Sequence, residues 1–159
     1  MRKFKFNKAF QPMTSDAGDE LYANGIFVFN ITKMLQFIDA NKEQFPLEEV
    51  EVKTLRTLPP RNLNETTIQK ANLSAPIILA EISPRPGGFN VIDGRHRLEK
   101  AYSLGLKKIS AYRLLAEQHI MFLDSIDAYK AYIDYWNEKI KQINKENNVF
   151  GKIPLPQQS

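Results

Sequence analysis

Hydrophobic positions recur along this chain with two periods, and the places where the period changes mark its elements. After Gly25, Ile26-Phe27-Val28-Phe29 is a short apolar run suited to a strand. Asn30 is placed to cap a helix in which Ile31, Met34, Leu35 and Ile38 recur at helical spacing; Pro46 stops that helix soon after Phe45. Glu49-Val50-Glu51-Val52-Lys53 alternates polar and apolar, the mark of a half-buried strand. A loop at Leu58-Pro59-Pro60-Arg61-Asn62 leads to a short helix predicted from Asn64 to Leu73. Pro76 to Ile82 reads as a strand with proline at its permitted first position. The turn material Ser83-Pro84-Arg85-Pro86-Gly87-Gly88 then joins it, as a hairpin, to the strand Phe89-Asn90-Val91-Ile92.

The next helix, from about Gly94 to Leu104, is expected to bury Leu98, Ala101 and Tyr102, with Gly105 ending it as a left-handed cap. Lys108 to Leu114 alternates again as a strand. Beyond it Ile126, Tyr129, Ile133, Trp136, Ile140 and Ile143 repeat at steps of three and four, one apolar stripe capped by Asp124 or Ser125 and widened by Tyr132 and Tyr135. That stripe serves to pack on the core; its length also allows a homodimer through the C-terminal helix. The organisation expected is a mixed α/β (α+β) domain with a long C-terminal helix. It comprises an irregular lead-in over 1–25, the domain proper over 26–115, helices packing on it over 116–146, and a mobile tail over 147–159. His119 is expected at a helix surface or boundary.

Composition changes the picture at two points. Cysteine is absent from the 159 residues, which excludes disulfides, thiolate metal sites and cysteine nucleophiles. With only His96 and His119 as histidines, a histidine-rich zinc site is not expected either, and no metal ligands are assigned. No apolar run approaches the ~20 residues of a membrane helix, so no membrane association and a cytoplasmic location are expected. The net charge of +4 is confined to one stretch: between Asp93 and Arg113 six basic residues face two acids, and the rest of the chain is balanced. A local excess of that kind suggests an anionic ligand there.

The candidate chemistry falls in the same stretch. A strand ending at Ile92, a glycine at 94 and a helix from 95 present helix-start amides that have no internal partners, at the positive end of the helix dipole. Gly94 allows close approach to the backbone, and Arg95, His96 and Arg97 fan out from the first turn. Such an assembly suits phosphate or another oxyanion. Asp93 has two readings: a cap that satisfies those amides itself, or a carboxylate that accepts a substrate proton, holds Mg²⁺ or orients an arginine. Asp19 and Glu20 lie in a polar, glycine-containing run that could fold over the site, although plain loop charge is the simpler account.

Pro76-Ile77-Ile78-Leu79, then Val91-Ile92-Asp93-Gly94-Arg95-His96-Arg97-Leu98-Glu99-Lys100-Ala101, then Leu104-Gly105 and Ile109 resemble the ParB/sulfiredoxin superfamily over about residues 26 to 115. The resemblance implies a small domain that binds nucleotide phosphates at the turn: CTP in ParB proteins, ATP in sulfiredoxins, ADP in the related free-serine kinases with their Asp-Gly-His-His-Arg turn. Carried over by position, Gly94, His96 and Arg97 match the phosphate-contacting turn and Asp93 the kinase acid. Sulfiredoxin chemistry is excluded because it needs a cysteine. The Gly-Glu-Arg-Arg turn of chromosome-segregation ParB proteins is altered at Arg95, and the segment after Leu114 is too short for their further domains. Three functions therefore fit. The favoured one is a nucleotide-dependent enzyme or switch, for instance a phosphotransferase or nucleotide hydrolase, with Asp93 and His96 catalytic and Gly94, Arg95, His96 and Arg97 binding ATP, ADP or CTP, with or without Mg²⁺. The others are a nucleic-acid module of phage, plasmid or toxin–antitoxin context, and an interaction domain that has lost its ligand. Confinement of the charge to one short segment favours a compact ligand, a phosphate-bearing small molecule, over a nucleic-acid groove, so any DNA or RNA contact is expected to be weak.

Overall fold

The computed structural model describes residues 2–25, 27–56 and 62–150. Its elements run β1 (Leu21–Asn24), β2 (Phe27–Asn30), α1 (Ile31–Ala40), β3 (Glu48–Glu51), α2 (Val52–Leu55), α3 (Glu65–Lys70), β4 (Ile77–Glu81), β5 (Phe89–Asp93), α4 (Arg95–Ser103), β6 (Lys108–Leu114), α5 (Ala116–His119) and α6 (Ile126–Phe150). The fold is mixed α+β with a long C-terminal helix, as the periodicity predicts. No helix among the described residues is long and apolar enough to cross a membrane.

A four-stranded sheet in the order β3-β6-β4-β5 forms the centre. β4 pairs antiparallel with β5 and parallel with β6, so α4, which links β5 to β6, crosses one face of the sheet above β4. β4 is the most buried strand because both of its faces are used. Ile77 and Leu79 pack with Leu98 and Ala101 of α4, whereas Ile78 and Ala80 pack with the aromatic core under α6. This explains why Ile77-Ile78-Leu79-Ala80 reads as one continuous apolar run. On the α6 side, Tyr132, Trp136 and Ile140 meet Phe29, Met34 and Ile38, all buried. Ser125 is the cap: its hydroxyl accepts from the Ala128 amide at 3.0 Å.

Several expectations are corrected. The lead-in is not wholly irregular, since Leu21–Asn24 forms β1, paired with β2 across Gly25 in the left-handed region. Four residues with little burial contrast carry too weak an alternation to read. Val52 and Lys53 belong to α2 and not to a strand; Val52 turns into the core and its amide donates to the Lys107 carbonyl at 2.9 Å. The helix predicted over 64–73 is only Glu65–Lys70, capped by the Asn64 side chain. The 58–62 loop lies outside the described residues except for Asn62.

On α4, Leu98 and Ala101 are buried but Tyr102 is 41% exposed: its ring lies outside the core clusters and is covered by the Arg56 guanidinium at 3.8 Å. Leu35 and Ile126 are likewise exposed members of their stripes. His119 is fully buried, not a surface residue: its Nε2 meets the Glu81 carbonyl at 2.7 Å. α6 continues through residues 147–150, in place of the start of a tail; the rest of that segment lies outside the described residues.

Candidate functional site

The turn between β5 and α4 is shaped by two local features. Opposite β4, Ile78 pairs with Asp93 and Leu79 with Val91, a register shift of the β-bulge kind immediately before the turn. Such shifts re-aim side chains at strand ends. Gly94 then adopts φ +96°, a left-handed conformation that disfavours any side chain. A Cβ at this position would also stand 2.5 Å from Ile77 Cγ2 and 2.8 Å from the Arg97 guanidinium. Glycine is required here on both counts.

Gly94 is the residue that precedes α4, and no side chain caps the helix. This corrects the reading of Asp93 as the cap. Its carboxylate turns instead to Arg97, whose Nη2 donates to it at 2.8 Å and to the Pro76 carbonyl at 3.1 Å. The pair is partly buried, at 20% and 11% side-chain exposure, and Arg97 Nε has no partner among the described residues. Arg97 thus ties the turn to the start of β4. Arg95 is exposed and its guanidinium donates to the Tyr22 hydroxyl of β1 at 2.9 Å. His96 is half-buried, with no side-chain hydrogen bond to the described residues.

A pocket of about 410 Å³ opens over this turn. Residues 92–97 form its floor, Glu20 and Tyr22 one wall, and Leu63, Thr67, Lys70 and residues 71–72 the other. The structure therefore brings Asp93, Gly94, Arg95, His96 and Arg97 together in one concavity, and it adds cationic Lys70 and acidic Glu20. Asp19, the neighbour of Glu20, is diverted. Asn30, which caps α1, also donates to the Asp19 carboxylate at 2.7 Å and holds its pKa below the usual value.

The surplus charge of 93–113 does not form one patch. Arg113 pairs with Glu48 at 2.9 Å, and Lys100 donates to the carbonyls of Gln69 and Ala71. Lys107 and Lys108 lie past the other end of α4, roughly 13 Å along the helix axis from the turn. Sequence reasoning missed Tyr22, Thr67 and Lys70 because they reach the turn from segments distant in the chain, with no local motif of their own. No family model, curated protein or solved structure matches this chain. Among the described residues, no three acidic or histidine side chains cluster as a metal site.

Proposed function

We propose that the chain binds a nucleotide, or another compact phosphate-bearing ligand, in the pocket at the start of α4. The observation that carries this reading is the uncapped helix start at Gly94, open to a pocket that also holds Arg95, His96 and Lys70. Free amides at a helix dipole's positive end favour an oxyanion, and guanidinium donors add charge-assisted bonds. The resemblance of about residues 26 to 115 to the ParB/sulfiredoxin superfamily points the same way, toward ATP, ADP or CTP.

In this reading Arg95 is the mobile cation. It exchanges the Tyr22 hydroxyl for a phosphate, while Arg97 stays on Asp93 and supports the turn from below. Asp93 and His96 are the candidates to handle a proton in phosphotransfer or hydrolysis. His96 is the freer of the two, since Asp93 is engaged by Arg97. Where Mg²⁺ takes part, the phosphates would supply much of its coordination, with Glu20 or Asp93 as the protein carboxylate.

A thermal-shift screen of ATP, ADP, CTP and GTP, each with and without Mg²⁺, tests the proposal. At a hundred times its dissociation constant a true ligand stabilises the fold by about 2.7 kcal/mol, a plain upward shift in Tm. No shift with any of them, joined to nanomolar affinity for a defined DNA or RNA site at about 150 mM salt, a condition under which phosphate contacts are already weakened, would promote the nucleic-acid reading instead.

A further inference from the structure

α3 is a helix of six residues, too short to hold itself in water. Only Ile68 of it is buried, so the core supplies little of what keeps it in place. Its remaining anchors are polar. At its start the Asn64 side chain accepts from the Thr67 amide at 3.1 Å. At its end the Lys100 ammonium, reaching from α4, donates to the Gln69 and Ala71 carbonyls at 2.7 and 2.8 Å. These are carbonyls that a helix leaves without internal partners, and a cation there also complements the helix dipole.

The floor and the α3 wall, which Lys100 joins, differ in kind. Its own helix begins at the charged turn, with Asp93, Arg95 and Arg97. The α3 wall offers Leu63, Thr67, Ala71 and Asn72, with Lys70 its one charged member. Lys100 does not itself line the pocket.

We propose that the α3 wall recognises the uncharged, organic portion of the ligand, a ring with a polar edge, and that Lys100 is the positioning residue that holds this wall against the phosphate-binding turn. The inference rests on the phosphate reading of the turn. Leu63 and Ala71 suit the face of such a ring, while the Thr67 hydroxyl and the Asn72 amide suit its polar edge. Loss of the Lys100 tether leaves α3 docked for only part of the time, and apparent affinity falls by that fraction.

The test compares two probes by titration calorimetry: inorganic pyrophosphate, and whichever of ATP, ADP and CTP binds the parent most tightly. In Lys100→Met the nucleotide should weaken by about tenfold, pyrophosphate affinity should stay within about twofold, and Lys100→Arg should restore most of the loss. Hydrogen exchange of amides 65–70 should quicken while Tm holds. Thr67→Val, at an exposed position, should show the same split between probes, and it decides the matter if Lys100→Met folds poorly. Equal weakening of both probes, or of neither, would overturn the inference and leave the phosphate reading standing. A parent protein that binds neither probe would overturn both.

Discussion

The two faces of the central sheet are held by different physics. Under α6 the contacts are aromatic and deep: Tyr132 and Trp136 are buried, and Phe27 meets Tyr132 edge-on at 5.1 Å. The N-terminal segment adds to this face. The Phe4 backbone exchanges two hydrogen bonds with the Asn137 amide, and Trp136 Nε1 donates to the Arg2 carbonyl at 2.8 Å. Under α4 the buried cluster is smaller and aliphatic, and polar tethers do much of the positioning. Arg97 holds Asp93, Lys100 holds α3, and Arg56 holds Glu99 through two bonds at 2.9 and 3.0 Å. Burial is indifferent to direction, whereas hydrogen bonds fix angles; stability is concentrated on one face and geometry on the other.

Trp136→Ala should test the first half of that contrast most severely. Removing so large a buried side chain costs about 4 kcal/mol. The expected result is a large drop in the denaturant midpoint with the ligand affinity of the surviving folded protein unchanged. A matching loss of affinity would mean that the two faces are coupled.

Acid should also act on the α6 face. His119 donates through Nε2 to the Glu81 carbonyl, which the Tyr132 hydroxyl also reaches at 2.8 Å, and its Nδ1 has no partner among the described residues. Burial holds its pKa down at about 4, against 6.5 when exposed. Between those values the unfolded chain binds the proton and the folded chain refuses it. The contribution is therefore complete above pH 6.5 and shrinks by roughly 3 kcal/mol as pH falls to about 4. Unfolding free energies measured across this window should slope less in His119→Phe than in the parent; identical slopes would exclude the imidazole as the cause.

A smaller pair of effects sharpens the α4 side. Arg97→Ala strands the Asp93 carboxylate and should cost about 2 kcal/mol of stability, since a partly buried pair loses one member. Arg95→Ala should leave stability within about 0.5 kcal/mol and weaken phosphate-ligand binding by about 1.5 kcal/mol. Chemical denaturation and calorimetry on both variants separate the two arginines; reversal of their roles would refute the assignment of Arg95 as the mobile cation.

The long or strongly patterned elements are legible in the sequence. Asn30 caps α1, Gly105 closes α4 with Leu106 donating back to the Ala101 carbonyl, and β4 is one apolar run, because each of these signals is local. β1 and α2 are not legible, since β1 alternates only between exposed and half-buried positions and the first residues of α2 continue the polar–apolar alternation of β3. The floor of the pocket is visible for the same reason that its walls are not. Asp93 to Arg97 are consecutive, whereas Tyr22, Thr67 and Lys70 meet them only through the tertiary fold. Tyr102 and Ile126 mislead because periodicity marks which face a residue is on, while burial depends on what lies opposite. Arg56 covers Tyr102 in place of core.

Gly94 has a consequence for how such a chain can change over time. Its missing side chain is filled by Ile77, a central residue of the sheet, so a variant at 94 collides first with the interior and only second with the turn. The two positions cannot drift separately. A lineage that replaced the glycine would need a smaller residue at 77 as well as tolerance of the left-handed backbone, two rare events that are individually harmful. The pair therefore ties the history of the site to that of the core beneath it.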